Sequence, residues 1–211
     1  MEDAEVLFGI YCPPHPQPLL SPDANHGYSK LRAAFETCRE RIEQSDADLL
    51  IVYSTTWPSI IGHQIQAHPE PEWVHVDDDF HYLGSMPYKF KMDVDFADCL
   101  VESAKSRGLH SRTIAYDGFP IDTGSVVALK LLNPDNRIPA CIVSSNMYAN
   151  RSETIVLGKS IRDALSKQKK KAVVVHVTSN SIFKSTIDRF QRHQRKPDRQ
   201  IILRPFFSCR S

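Results

Sequence analysis

Hydrophobic positions along the chain alternate between short runs rich in β-branched residues and stretches with helical spacing. The runs predict strands at residues 6–12, 47–53, 111–116, 138–144 and 171–177. The stretches between them predict helices near residues 31–42, 95–107, 125–132 and 152–166. Strands separated by helices indicate an α/β protein, a three-layer sandwich with a central, mostly parallel sheet flanked by helices. The run 47–53 is apolar almost throughout, as expected for a strand buried on both faces.

Two regions depart from this alternation. Residues 57–92 are less regular, although 86–92 alternates like an exposed hairpin strand. Residues 184–211 carry eight Lys or Arg and two Asp, whereas residues 1–183 carry 18 basic and 23 acidic residues. We therefore expect an α/β domain over 1–183 and a basic, divergent tail over 184–211. A solvated tail is favoured over a phosphate-binding arm because functional charge runs are rare.

Composition narrows the functional classes. The 211 residues contain 26 Lys plus Arg against 25 Asp plus Glu, a formal charge of +1. This balance argues against a dedicated nucleic-acid or membrane-surface protein, which needs a concentrated positive field. No apolar run approaches the roughly 18–20 residues that span a bilayer, and the acidic N-terminus is unlike a secretory signal. We expect a cytoplasmic protein.

The loops that follow predicted strands have unusual compositions. They are residues 13–20, 53–58, 116–124 and 144–148. In an α/β sheet, functional loops lie outside the carboxyl ends of the strands. In the third loop, Gly118 and Gly124 flank Phe119-Pro120, which predicts a tight turn delivering a helix N-terminus at Thr123. An anion site at that N-terminus is the less favoured interpretation.

Three strings in this order carry a family resemblance. They are Val-Tyr-Ser-Thr-Thr-Trp at 52–57, Val-His-Val-Asp at 74–77 and Tyr-Asp-Gly-Phe-Pro-Ile-Asp-Thr-Gly at 116–124. Together they resemble the class III extradiol ring-cleavage dioxygenases, the LigB superfamily, and within it the non-catalytic alpha subunits of aminophenol-cleaving members. The resemblance covers about residues 5–183. It implies that the chain is C-terminally truncated relative to the family, because the expected C-terminal helical portion is missing.

The resemblance also identifies four positions to check. The family holds Fe(II) with two histidines and a glutamate, and a further histidine acts as acid/base. His15, in a Pro-His-Pro sequence, matches the first ligand. Thr56 stands where the second histidine is required, and Thr123 replaces the histidine of an Asp-His-Gly triplet. Ser181 lies in the string that replaces the Ser-His of the catalytic base.

These replacements imply a chain without catalytic residues, metal or cofactor, in which His15 is a lone relic ligand or, equally, a loop residue fixed between prolines. The surrounding pocket loops contribute five further positions: Trp57, Tyr116, Asp117, Asp122 and Tyr148. We expect a scaffold or regulatory subunit of an extradiol dioxygenase that acts on 2-aminophenol-type or catechol-type aromatics. Its partner would be an iron-bearing catalytic beta subunit of the same superfamily, with Fe(II) and the aromatic molecule bound in the complex.

Two other functions stay open. The chain could be an active Fe(II) dioxygenase with an atypical site built from His15, His63 or the 75–81 loop, although that loop is better interpreted as an acidic surface loop. It could also be a LigB-fold binding or signalling protein with no role in ring cleavage. His176, within a predicted strand, is interpreted as a core histidine with satisfied hydrogen bonds.

Overall fold

The computed structural model describes residues 4–178. The strands are β1 Glu5–Cys12, β2 Leu49–Ser59, β3 His63–Gln66, β4 Glu72–His75, β5 Met86–Lys89, β6 Ser111–Ile114, β7 Ala140–Asn146 and β8 Lys171–Val177. The helices are α1 Gln17–Leu20, α2 His26–Glu43, α3 Val94–Ser106, α4 Thr123–Leu132 and α5 Arg151–Gln168. Short 3-10 turns occupy Pro22–Ala24 and His81–Leu83.

Six strands form the central sheet, in the order β1-β8-β2-β7-β3-β6. The first four of these strands run parallel to one another. Strand β3 runs antiparallel to β7 through the single pair Ile65↔Val143, and β6 runs parallel to β3. The expectation of a mostly parallel sheet is confirmed. The sequence pattern missed β3 because its four residues, three polar and one apolar, show no strand alternation over so short a span.

Helices cover both faces of the sheet. Strand β2 supplies alternate residues to two cores, Leu50 and Val52 on one face and Leu49 and Ile51 on the other. The first core packs against α2 and α4, and the second against α3 and α5. All four β2 residues are fully buried. The three-layer α/β architecture predicted from the alternation of strands and helices is therefore confirmed.

Side-chain caps set where the helices begin. Asp122 accepts a hydrogen bond from the Ser125 backbone N–H, and α4 starts at Thr123, as the turn in the third loop predicts and two residues before the start given by the hydrophobic spacing. Asn150 forms a capping box with Glu153 at the start of α5. Such caps satisfy backbone N–H groups that have no partner inside the helix.

The hairpin formed by β4 and β5 differs from its prediction. Residues 86–92 were expected to be an exposed strand, but Met86, Tyr88, Phe90 and Met92 are buried in the first core. Only the intervening residues face solvent, as the twofold period of a strand requires. The alternation therefore indicated a strand correctly and its exposure incorrectly.

No helix within residues 4–178 is long and apolar enough to cross a membrane. The basic tail, 184–211, lies outside the described residues, as does Ser181. The domain boundary at residue 183 and the replacement at Ser181 stay predictions.

Candidate functional site

The N-terminus of α4 packs against two neighbouring strand ends and one loop. A Cβ atom placed on Gly124 would lie 2.6 Å from Thr56 Oγ1, 2.5 Å from Val177 Cγ1 and 2.9 Å from Pro14 Cβ. These atoms belong to β2, to β8 and to the loop after β1. The structure therefore brings the Pro14-His15 loop, Thr56 and Thr123 to the same edge of the sheet, where the carboxyl ends of the parallel strands meet.

A hydroxyl–carboxylate network surrounds Thr56. Its Oγ1 donates to Asp122 Oδ1 at 2.5 Å, and Ser54 Oγ donates to the same oxygen at 2.8 Å. That oxygen also accepts the Ser125 N–H at 3.0 Å, which makes Asp122 both a helix cap and the centre of the network. The other carboxylate oxygen, Oδ2, is buried and has no hydrogen-bond partner among the described residues. Thr56, for which the motif resemblance predicts the replacement of a ligand histidine, thus donates its hydroxyl hydrogen to a carboxylate.

Thr123 is the centre of a second polar group. Its hydroxyl donates to Asp77 Oδ2, and His75 Nε2 lies 2.7 Å from the same hydroxyl oxygen. Because that hydroxyl hydrogen is used by Asp77, His75 Nε2 is the donor in the second contact. His75 and Asp77 are half-buried, whereas Asp78 and Asp79 are exposed. The interpretation of residues 75–81 as a surface loop is therefore wrong for the two residues that contact Thr123.

His15 is half-buried beside the Phe80 ring, with ring centroids 6.2 Å apart. Burial lowers the pKa of His15, and the nearby Asp77 carboxylate opposes that shift. His15, His75 and Asp77 thus lie around the same corner of the sheet. The sequence indicated His15 through its Pro-His-Pro setting, but nothing local to 75–77 indicated that this segment folds inward.

These side chains do not fit an Fe(II) centre. Within residues 4–178, no group of three or more His, Cys, Asp or Glu side chains is arranged to hold a metal ion. The family's iron needs two imidazoles and a carboxylate converging on one point. Here the second imidazole position is Thr56, whose hydroxyl is already bonded to Asp122. The atypical iron site considered for His15, His63 or the 75–81 loop finds no support in this geometry.

The pocket-loop residues lie in different places. Trp57 and Tyr116 both contact Phe119 and form one aromatic cluster with it. The centroid of the Phe119 ring lies 5.4 Å from that of Trp57 and 5.2 Å from that of Tyr116. The Asp117 side chain is 98% exposed and bonds His68 Nε2 at 2.8 Å. Tyr148 lines a separate cleft beside His63. The structure therefore places Trp57 and Tyr116 in one aromatic cluster, Asp122 at the start of α4 and Tyr148 at a different cleft.

His176 differs from its prediction as a core histidine with satisfied hydrogen bonds. It is half-buried and lies between Tyr11 and Tyr53 on the two neighbouring strands. The centroid of the His176 ring lies 5.0 Å from the ring centroid of Tyr11 and 5.3 Å from that of Tyr53. Its Nδ1 is buried without a hydrogen-bond partner among the described residues. Aromatic packing, rather than hydrogen bonding, holds this imidazole.

Three of these histidines should make folding sensitive to mild acid. Burial lowers the pKa of His15, His63 and His176 in the folded chain. The unfolded chain takes up protons as the pH falls through about 6.5, the ordinary value for histidine, while the folded chain does not. The free energy of unfolding should therefore fall between about pH 7.5 and 5.5.

Urea titrations across that interval measure this dependence. His176→Phe keeps a ring between the two tyrosines and removes one titrating group, so its slope against pH should be shallower than that of the wild type. A flat wild-type profile, or stability that rises as the pH falls, would contradict the prediction.

Several known proteins are similar to this chain in sequence or in fold. The sequence profile of the family described as the catalytic LigB subunit of aromatic ring-opening dioxygenase matches residues 9–182. The 2-aminophenol 1,6-dioxygenase alpha subunit of Pseudomonas sp. is 30% identical over 186 residues, which cover 87% of this chain and 68% of that subunit. The beta subunit of the same enzyme is 28% identical over 190 residues, covering 83% of this chain and 62% of that subunit.

More distant relatives share parts of the chain. The 3,4-dihydroxyphenylacetate 2,3-dioxygenase of Escherichia coli is 22% identical over 128 residues, 59% of this chain and 46% of that enzyme. The crystal structure of an uncharacterized protein from Escherichia coli K12 superposes with a TM-score of 0.50 and 17% identity, covering 69% of this chain and 52% of that one, and shows the fold alone. The chain spans about two thirds of the two aminophenol dioxygenase subunits and less than half of the third enzyme. Because the profile covers most of the sequence and the 30% identity extends over 87% of it, the chain belongs to the LigB family of aromatic ring-opening dioxygenases.

Proposed function

We propose that this chain is the non-catalytic subunit of a two-subunit extradiol dioxygenase and assembles with an iron-bearing catalytic subunit of the same superfamily. The observation that carries the proposal is the bonding of Thr56 and Thr123, the two residues that the motif resemblance aligns with histidines of catalytic members. Both hydroxyls donate to carboxylates, Thr56 to Asp122 and Thr123 to Asp77. The chain would act as a scaffold or regulator of ring opening, with Fe(II) held in its partner.

The chemistry of threonine supports this role. Its hydroxyl is neutral at physiological pH and a weak donor to Fe(II), whereas the imidazole that it replaces is a good ligand. A threonine hydroxyl that donates to a carboxylate is also held in place, because hydrogen bonds to charged groups are stronger than those between neutral groups. Thr56 and Thr123 are therefore stable parts of an inert site.

The pairing with a catalytic subunit draws on two relatives that bear the names of alpha and beta subunits of one enzyme. The same names support a substrate of the 2-aminophenol type, and the dihydroxyphenylacetate enzyme supports a catechol type. Both are aromatic rings with two adjacent donor groups, so the proposed substrate is a 2-aminophenol-type or catechol-type aromatic bound in the complex.

Co-expression tests the proposal directly. The chain should be purified alone, and together with a LigB-family homologue that retains the Pro-His and Ser-x-His-Trp motifs, after anaerobic loading with Fe(II). We expect substoichiometric iron and no oxygen uptake with 2-aminophenol for the lone chain, and a stable, active complex for the pair. Stoichiometric iron and oxygen uptake in the lone chain would overturn the non-catalytic role, and failure to associate would overturn the subunit role.

A matched substitution locates the iron in the complex. His15→Gln in this chain should leave iron content and turnover of the pair unchanged, since His15 ligates no metal. The same change at the Pro-His histidine of the partner should abolish both, because that imidazole is a required ligand. Equal losses from the two changes would show that His15 holds iron.

A further inference from the structure

A cleft separate from the Thr56 and Thr123 site opens at the edge of the sheet, where β3 and β6 begin. The turn between β2 and β3 forms one wall, and the first turn of α5 forms another. Its volume is about 400 Å³, and its walls include Ile60, Ile61, Leu109, Tyr148 and Glu153. This volume lies within the range of small-molecule sites. None of His15, Thr56 and Thr123 contributes to its lining.

His63 provides a buried acceptor at this cleft. The residue is only 1% exposed, and its Nδ1 lies 3.3 Å from the Ser144 carbonyl oxygen. A carbonyl oxygen only accepts hydrogen bonds, so Nδ1 carries the hydrogen and Nε2 of the neutral ring carries a lone pair. Nε2 is buried and has no partner among the described residues. Buried polar atoms are normally hydrogen-bonded, so this nitrogen lacks an expected partner.

The imidazole stays neutral because burial lowers the pKa of His63, although the Ser144 hydrogen bond and the Glu153 carboxylate act in the opposite direction. At neutral pH, Nε2 is therefore an acceptor. Glu153 adds negative charge to the same cleft, while one of its oxygens accepts the Asn150 N–H in the α5 capping box. An acceptor and a carboxylate together favour a ligand that donates hydrogen bonds and disfavour an anion.

The other walls of the cleft combine apolar and aromatic side chains with the polar side chains of His110 and Asn146. Ile60, Ile61 and Tyr148 are 64%, 51% and 77% exposed, respectively, although large apolar side chains are more often buried. Aliphatic and aromatic walls around a few convergent polar groups are typical of sites for small organic molecules. A flat ring would cover these side chains and could stack on Tyr148.

We propose that this cleft binds a small, uncharged or cationic ring compound whose hydroxyl or amino group donates a hydrogen bond to His63 Nε2. The ring lies against Ile60, Ile61 and Tyr148, and Glu153 excludes carboxylate-bearing analogues. All residues that line the cleft belong to this chain, so the proposal can be tested on the full chain by itself.

Three probe molecules separate the contributions of the ring, the hydrogen-bond donor and the ligand charge to binding. Phenol has the ring and a donor, toluene lacks the donor, and benzoate carries a negative charge. Titrations of the 211-residue chain followed by ligand-observed NMR should give about tenfold weaker binding for toluene than for phenol, the effect of one hydrogen bond. Benzoate should bind least. On addition of phenol, the ¹⁵N resonance of His63 Nε2 should shift. Toluene or benzoate binding as tightly as phenol would overturn the proposal.

Variants identify the site itself. Ile61→Trp fills the cleft from an exposed position and should abolish phenol binding, whereas Val74→Trp, at a similarly exposed position on the β4–β5 hairpin, should leave it unchanged. His63→Phe should remove the preference for phenol over toluene. Glu153→Gln keeps a side-chain acceptor for the α5 cap and should strengthen benzoate binding. Phenol binding that persists in Ile61→Trp would place the ligand elsewhere and overturn the assignment.

Discussion

Replacing Gly124 with alanine should destabilise the chain by about 3 kcal/mol, the upper part of the usual range for overpacking. The new methyl group would meet Val177 Cγ1 at 2.5 Å, Thr56 Oγ1 at 2.6 Å and Pro14 Cβ at 2.9 Å. None of these atoms is the end of a flexible side chain. Val177 is β-branched and lies in a central strand, Pro14 is a ring, and Thr56 is bonded to Asp122. Either α4 must move away from the sheet or the Thr56 hydrogen bond must break.

The same substitution elsewhere in the chain provides the control. Gly158 lies in the middle of α5, is exposed, and has nothing within 4 Å of a Cβ placed on it. Gly158→Ala should stabilise the chain by about 0.5–1 kcal/mol, because alanine is the better helix former. Urea unfolding measures the change in the free energy of unfolding for both variants. If α4 packs as closely at Gly124 as the structure shows, that free energy falls for Gly124→Ala and rises for Gly158→Ala. A Gly124→Ala variant as stable as the wild type would show that α4 does not pack this tightly against Thr56.

Removing the Asp122 carboxylate should cost about 3 kcal/mol, since it combines a lost helix cap with lost hydrogen bonds to the hydroxyls of buried Ser54 and half-buried Thr56. Asp122→Ala removes the acceptor for the Ser125 N–H, Ser54 Oγ and Thr56 Oγ1. Asp122→Asn retains one carbonyl oxygen and is a good helix cap, so its cost should be about 1 kcal/mol. Urea titrations of the two variants against the wild type measure the difference.

A double-mutant cycle isolates the hydrogen bond between Thr56 and Asp122. Thr56→Val preserves the shape of the side chain and removes the hydroxyl. If the 2.5 Å contact stabilises the site, Asp122→Ala should be less costly in the Thr56→Val background, by about 1 kcal/mol. Purely additive effects would mean that the Thr56 hydroxyl does not depend on Asp122, and the network would have to be described differently.

Local sequence signals were sufficient for the main elements. Strand β2 is apolar at consecutive positions because it is buried on both faces. A continuous apolar run predicts such a strand without any knowledge of its tertiary contacts. Strand β3 was missed because His63-Gln-Ile-Gln has no local pattern of its own, and pairing with β7 and β6 makes it a strand. The exposure of residues 86–92 was wrong for a related reason, since alternation specifies two faces and only packing decides what covers each one.

At the candidate site, the motif resemblance singled out two threonines, and the tertiary structure decided which groups their hydroxyls bind. Thr56 and Asp122 are 66 positions apart in the chain, and Thr123 and Asp77 are 46 apart, so neither contact follows from local pattern. His75 and Asp77 looked like surface residues because charged residues in an irregular segment are usually solvated. Packing of the 75–77 segment against the start of α4 made them half-buried partners of Thr123.

The amino-acid sequence by itself determined the α/β class, the family and the residue types at the motif positions, because these are properties of residue type and of periodic order along the chain. Only the tertiary structure decided that the hydroxyls of Thr56 and Thr123 donate to carboxylates, and that His63 Nε2 has no hydrogen-bond partner within residues 4–178. The physical reason is that hydrogen bonding and burial depend on distances between atoms that the fold brings together from remote parts of the chain.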